Sequence, residues 1–213
     1  MKINSIEYKF QTSGLFSGHP QLIVDCAFDN ANASQDIKDP TDLTKVVYKD
    51  AIKKCNKKLL QAVSFQGGEP LLQIDSLKAL LKPKKDPILI KTNGSLPNHL
   101  LEIVEQIDFV ELVYHPGFDE AFLESISVAQ FVGQSAVVYP FQTLDREEVT
   151  RMTQLISSIS IDIPFIVQPQ MKYTSKHTSP DSDIVKCFNY ARQNLSNVRV
   201  VPELKNLFQG IVI

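Results

Sequence analysis

A chain of 213 residues, 43% hydrophobic and 22% charged, has the makeup of an ordinary globular protein and the length for one unit covering 1–213. Its 22 basic and 24 acidic side chains leave a net charge of −2, which argues against a nucleic-acid partner, and no apolar run reaches the ~20 residues that span a bilayer. Three widely spaced cysteines, and an N-terminus that alternates polar and apolar residues without a signal-peptide core, lead to the expectation of a cytoplasmic protein.

The residues after Met1 read as a first strand, and Leu22–Cys26 as a second. An amphipathic helix is expected next, with Leu43, Val47, Ala51, Cys55 and Leu59 on its apolar stripe and lysines over the rest. Ala62–Phe65 is a strand broken by Gly67-Gly68, and Asp75–Leu81 a helix stopped near Pro83. Strand Pro87–Lys91, helix Asn98–Gln106, strand Phe109–Tyr114 and helix Phe118–Ile126 follow. Phe131–Tyr139 is strand-like but interrupted by Gly133, Asp145–Ile159 is helical, and Ile163–Gln168 is a strand stopped by Pro169. Helix Asp183–Gln193 and strand Val198–Val201 complete the order. Strands alternating with helices predict parallel βαβ units, in a partial or complete β/α barrel or an open doubly wound sheet. Both put the site at the C-terminal ends of the strands, in loops 66–70, 92–95, 114–117, 140–143 and 169–173.

The sharpest of these loops is Gly67-Gly68-Glu69-Pro70, where glycines permit positive φ and close approach of a ligand to exposed backbone groups. With Leu71-Leu72-Gln73 it resembles the Gly-Gly-Glu-Pro signature of the radical S-adenosylmethionine superfamily, and Thr92-Asn93-Gly94 resembles the Thr-Asn-Gly that ends the next strand. The opening segment with Gln11, Gly14, Gly18 and Pro20, and the later Gln168-Pro169 and Val200–Glu203, are similar to the 7-carboxy-7-deazaguanine synthase family of queuosine precursor synthesis. The resemblance implies a single-domain partial (β/α)6 barrel. It implies a cofactor site at Gly67, Gly68, Glu69, Pro70, Thr92, Asn93 and Gln168, with Gln11, Gly14 and His115 in the substrate pocket.

The departures are as informative. Superfamily members hold a [4Fe–4S] cluster through C-x3-C-x2-C, but the aligned positions here are Asp29, Ala33 and Asp36. Counting from Cys26 instead gives Asn30 and Ala33. The family arginine before that loop is Asp25, its magnesium-binding segment is lost at Ile37, the acid before Thr-Asn-Gly is Lys91, and the Ser-Pro-Lys-like strand end reads Val113-Tyr114-His115. The oxygen-bearing run Asp29, Asn30, Asn32, Ser34 and Asp36 lacks the glycine and glutamate of an EF-hand and reads as a solvated loop.

Three readings follow. The leading one is a cluster-less relative without radical activity, with S-adenosylmethionine binding weak or absent, kept for binding a small molecule or protein partner; homodimerisation stays open. The second is an active deazaguanine synthase-like enzyme with unconventional ligation or non-radical chemistry. The third is an unrelated β/α enzyme.

Overall fold

The structure, a computed structural model, describes residues 1–31, 39–82, 85–169 and 180–205. The strands are β1 (Lys2–Phe10), β2 (Pro20–Cys26), β3 (Thr41–Asp42), β4 (Ala62–Gly67), β5 (Ile88–Thr92), β6 (Phe109–Val113), β7 (Gln134–Phe141), β8 (Phe165–Pro169) and β9 (Val198–Val200). The helices are α1 (Lys45–Lys54), α2 (Ile74–Leu81), α3 (Pro97–Leu101), α4 (Asp119–Ala129), α5 (Arg146–Ser157) and α6 (Pro180–Arg192). Among the described residues the strands form one sheet in the order β3-β1-β2-β4-β5-β6-β7-β8-β9. β1 runs antiparallel to both β2 and β3, and every pair from β2 to β9 is parallel. Each parallel strand before β9 is followed by a helix, so the alternation read from the sequence becomes a partial β/α barrel.

Both faces of the parallel strands are covered, which is why they read as near-continuous apolar runs. One face packs Val24, Phe65, Ile90, Leu112, Val137 and Phe165 under the helices. The other curves around Leu15, which packs against the cluster of Ala62, Leu89 and Phe16 on one side and that of Ala136, Val138 and Ile166 on the other. Opposite strands meet on one side chain only because the sheet bends. No strand pair closes the barrel among the described residues; β9 and β3 are the sheet's edges.

Several elements differ from expectation. α1 spans only Lys45–Lys54, begins on a Thr44 cap, and buries Tyr48; Val47 and Leu59 are 45% and 54% exposed. Leu43, Ala51 and Cys55 of the expected stripe pack on the core, but the large tyrosine ring, beside Phe65, takes the place of Val47 on the buried face, and Cys55 sits just past the helix. The helix expected over 98–106 breaks after Leu101 and resumes as a 3-10 turn at Val104–Gln106, because Ile103 leaves helical geometry (φ −122°) to bury its side chain. The strand expected from Phe131 starts at Gln134: Phe131 and Val132 are tied back to Val128 and Ala129 at the end of α4. α5 begins as expected, with Asp145 accepting the Glu148 N–H and acids in its first turn.

The burial of α1 is testable. Tyr48→Ala is expected to cost about 3 kcal/mol or more, and Val47→Ala less than about 0.5 kcal/mol, by urea denaturation. Equal losses would return Val47 to the buried stripe expected from the sequence.

Candidate functional site

The loops after β4 and β5 form one rim, and a buried carboxylate joins them. Glu69 caps the 3-10 turn Pro70–Gln73, accepting the Leu71 N–H at 3.0 Å. The same group accepts the Asn93 N–H at 2.8 Å and the Thr92 hydroxyl at 2.9 Å. Thr92 in turn accepts the Gly94 N–H. Glu69 is wholly inaccessible, and burial pushes its carboxyl up to about 7 against the opposing effect of the Asn93, Leu71 and Thr92 hydrogen bonds.

The loop also grips the exit of β2. The Gly68 and Glu69 amides donate to the Cys26 and Phe28 carbonyls at 3.0 and 2.6 Å. The two glycines serve different ends. Gly67 has φ +100°, and a Cβ there would strike Asp25; Gly68 has no positive φ, but a Cβ would strike the Phe28 carbonyl. Two of the loop's N–H groups expected to face a ligand are thus spent inside the protein. Gln73 does similar work, pairing its amide with the backbone N–H and carbonyl of Lys2 at 2.6 and 2.9 Å.

Above this frame lies a cavity of about 340 Å³ whose lining includes Gln66, Gly67, Gly68, Thr92, Asn93, His115 and Gln168. Of the residues expected at the cofactor and substrate sites, Glu69, Pro70, Gln11 and Gly14 are absent from its lining. Glu69 faces inward, as described. Gln11 is buried, donates to Gln66 (2.8 Å) and Gln21 (3.1 Å), and accepts the Thr12 N–H. Gly14 donates its N–H to Gln168 Oε1 at 2.8 Å. These groups hold the loop after β1 across the barrel interior. His115 reaches the cavity with Nδ1 2.8 Å from the Pro116 carbonyl, whereas His99 lies 2.9 Å from the Leu71 carbonyl and is structural.

Pro140, from one of the loops expected at the site, and Asp29, Lys91 and Glu203, singled out only as family-aligned positions, also line the cavity; sequence reasoning missed Ser13 as a cavity wall, and it missed Glu111, fully buried and 3.0 Å from Lys91. A signal existed: Lys91 and Glu111 are the lone charges inside apolar runs Ile-Leu-Ile-Lys and Phe-Val-Glu-Leu-Val, and a charge there demands a partner.

The segment after β2 leaves the strand over the same rim. Asp29 accepts the Ala31 N–H at 2.9 Å, and Asn30 bridges to Ser95 and Asn93, both at 2.8 Å. Ala33, Asp36 and Ile37 lie outside the described residues. The thiols do not fit a cluster held by three thiolates. Cys26 ends β2 with its side chain in the core, Cys55 follows α1, Cys187 is on α6, and all three are buried. Burial raises each thiol away from its thiolate form. Among the described residues no group of three or more His, Cys, Asp or Glu could hold a metal ion, and no helix is long and apolar enough to cross a membrane.

Comparison with known proteins places this geometry. Residues 23–115 match the family described as a 4Fe-4S single cluster domain. The 7-carboxy-7-deazaguanine synthase of Geobacter sulfurreducens is 26% identical over 155 residues, covering 67% of this chain and 60% of that protein's length. The crystal structure of QueE from Escherichia coli superposes with a TM-score of 0.60 at 14% identity, over 94% of this chain and 93% of that one. The crystal structure of archaeal TYW1 gives 0.55 at 13% identity, over 83% and 72%.

The Glu69 pin has a pH signature. Folded, its carboxyl holds a proton up to about 7; unfolded, it releases it near ~4.3. The folded state therefore binds more protons between these values, and stability falls as pH rises through them, by roughly 4 kcal/mol in full. Relative to Glu69→Gln, the wild-type urea midpoint is expected to drop between pH 5 and pH 8. Parallel pH profiles for the two proteins would show that Glu69 is ionised throughout.

Proposed function

Since the chain has a QueE-like fold of the radical S-adenosylmethionine type, we propose that it is a cluster-less relative of 7-carboxy-7-deazaguanine synthase that binds a small molecule or a protein partner without radical chemistry. The observation that carries the reading is the location of its sulfur. Homolytic cleavage of S-adenosylmethionine draws an electron from a cluster held by soft thiolates. This chain has three cysteines, all buried, on β2, after α1 and on α6. The first aligned ligand position carries Asp29, a hard oxygen donor whose Oδ1 caps the Ala31 amide.

A missing electron source is not offset by tighter binding elsewhere. What is retained is a framed cavity of about 340 Å³, within the size range of small-molecule sites. We assign no nucleic acid or membrane partner, expect a cytoplasmic location, and leave self-association to the same small-molecule and protein binding tests.

Two measurements test the reading. Anaerobic reconstitution with iron and sulfide is expected to leave no stable absorbance near ~400 nm; about four irons per chain bound through residues 26–36 would overturn it. In calorimetric titration, S-adenosylmethionine is expected to bind at about millimolar affinity or weaker, because loss of cluster coordination removes several kcal/mol and each 1.4 kcal/mol is about tenfold. Micromolar binding without iron would replace a retired site with non-radical use of the cofactor.

A further inference from the structure

The cavity floor carries a charge pair that the rim does not need. Lys91 and Glu111 stand side by side in register on β5 and β6. Lys91 Nζ is 3.0 Å from Glu111 Oε2, and the two side chains are 10% and 0% exposed. The ammonium also donates to Ser13 Oγ at 2.7 Å and reaches the Ser13 carbonyl at 3.4 Å. An ammonium has three N–H groups; this one hydrogen-bonds to the two Ser13 oxygens and forms an ion pair with Glu111 Oε2, which accepts no hydrogen bond. The other carboxylate oxygen, Glu111 Oε1, accepts the Leu15 N–H at 2.8 Å.

The acceptors are held independently of the lysine. Gly14, at φ +74°, lies so close to the Glu111 carboxylate that a Cβ would collide with it. The Gly14 N–H is fastened to Gln168, and Thr12 is held by Gln11 on one side and the Leu204 N–H on the other, at 2.7 Å. Ser13 therefore stays in place through its neighbours, and Glu111 through its strand and Leu15. Burying an ion pair costs desolvation and is weak evidence for stability; a preorganised acceptor set is better evidence for recognition.

We propose that Glu111 and Ser13 form a binding slot for a primary ammonium group, which the protein fills with its own Lys91. Ser13 and Lys91 both line the cavity, so the slot opens toward the ligand side. Lys91 is thereby spent: it is neutralised from below, and the acids among the described lining residues are Asp29 and Glu203. The inference holds with or without a cluster.

Lys91→Ala removes the atoms of n-propylammonium from the slot. In that variant n-propylammonium chloride is expected to raise the melting temperature saturably, by about 3–5 °C for each tenfold increase above its Kd. The same concentrations of 1-propanol or sodium chloride should not, and wild type should not respond to the amine. Lys91→Ala/Glu111→Gln is expected to be more stable than Lys91→Ala and indifferent to the amine, since no buried anion is left uncompensated. If Lys91→Ala does not fold alone, recovery of its circular dichroism on adding the amine becomes the readout. An equal response in wild type and Lys91→Ala, an equal response in the single and double variants, or no response in Lys91→Ala would each overturn the slot.

Discussion

The Glu69 carboxylate is the constraint on which the rim depends. It is buried beyond reach of water, yet it gathers the Leu71 and Asn93 amides and the Thr92 hydroxyl. Those donors come from the loops after the paired strands β4 and β5, so one side chain ties the two strand ends together. Without it, several buried polar groups would lack partners at once, and each such loss costs about 1–3 kcal/mol. The backbone of Gly68 and Glu69 extends the frame to β2 by bonding to the Cys26 and Phe28 carbonyls. Asn30, Asn93 and Ser95 complete the joint on the outside.

A second constraint acts one layer below. A sheet that bends without closing leaves an interior to be filled, and the loop after β1 fills it. Leu15 and Phe16 supply the apolar plug, while polar side chains on β4, β6 and β8 (Gln66, Glu111 and Gln168) bond to residues 11, 15 and 14. The loop's backbone amides would be costly to bury unpaired; the inward-facing amides and acid of the barrel answer that need. The residues that resembled a substrate pocket thus support it, and the cavity starts above Ser13.

This chain shares the fold of QueE, and within it the residues of the rim and those at the cavity answer to different physics. The Gly-Gly-Glu-Pro and Thr-Asn-Gly segments are fixed by hydrogen bonds within the protein, so they persist whatever the cavity holds. Asp25, Asp29 and Lys91 face outward from that frame or stand beneath the cavity, where substitution changes recognition and leaves the frame intact.

The sequence by itself determined the strand–helix order and the loops that matter. Apolar runs bounded by Gly, Pro and Asn are local signals, and parallel βαβ order follows from them. It also determined that the three cysteines are wrongly spaced for C-x3-C-x2-C, since spacing is a property of the chain alone. Only the tertiary structure decided that Tyr48 rather than Val47 is the buried side of α1, because a helix face is chosen by what it meets. Only the structure turned Glu69, Gln11 and Gly14 inward and joined Lys91 to Glu111 across neighbouring strands. A side chain's partner in a buried network lies tens of residues away in sequence, and strand pairing and curvature of the sheet, which no local pattern encodes, bring the two together.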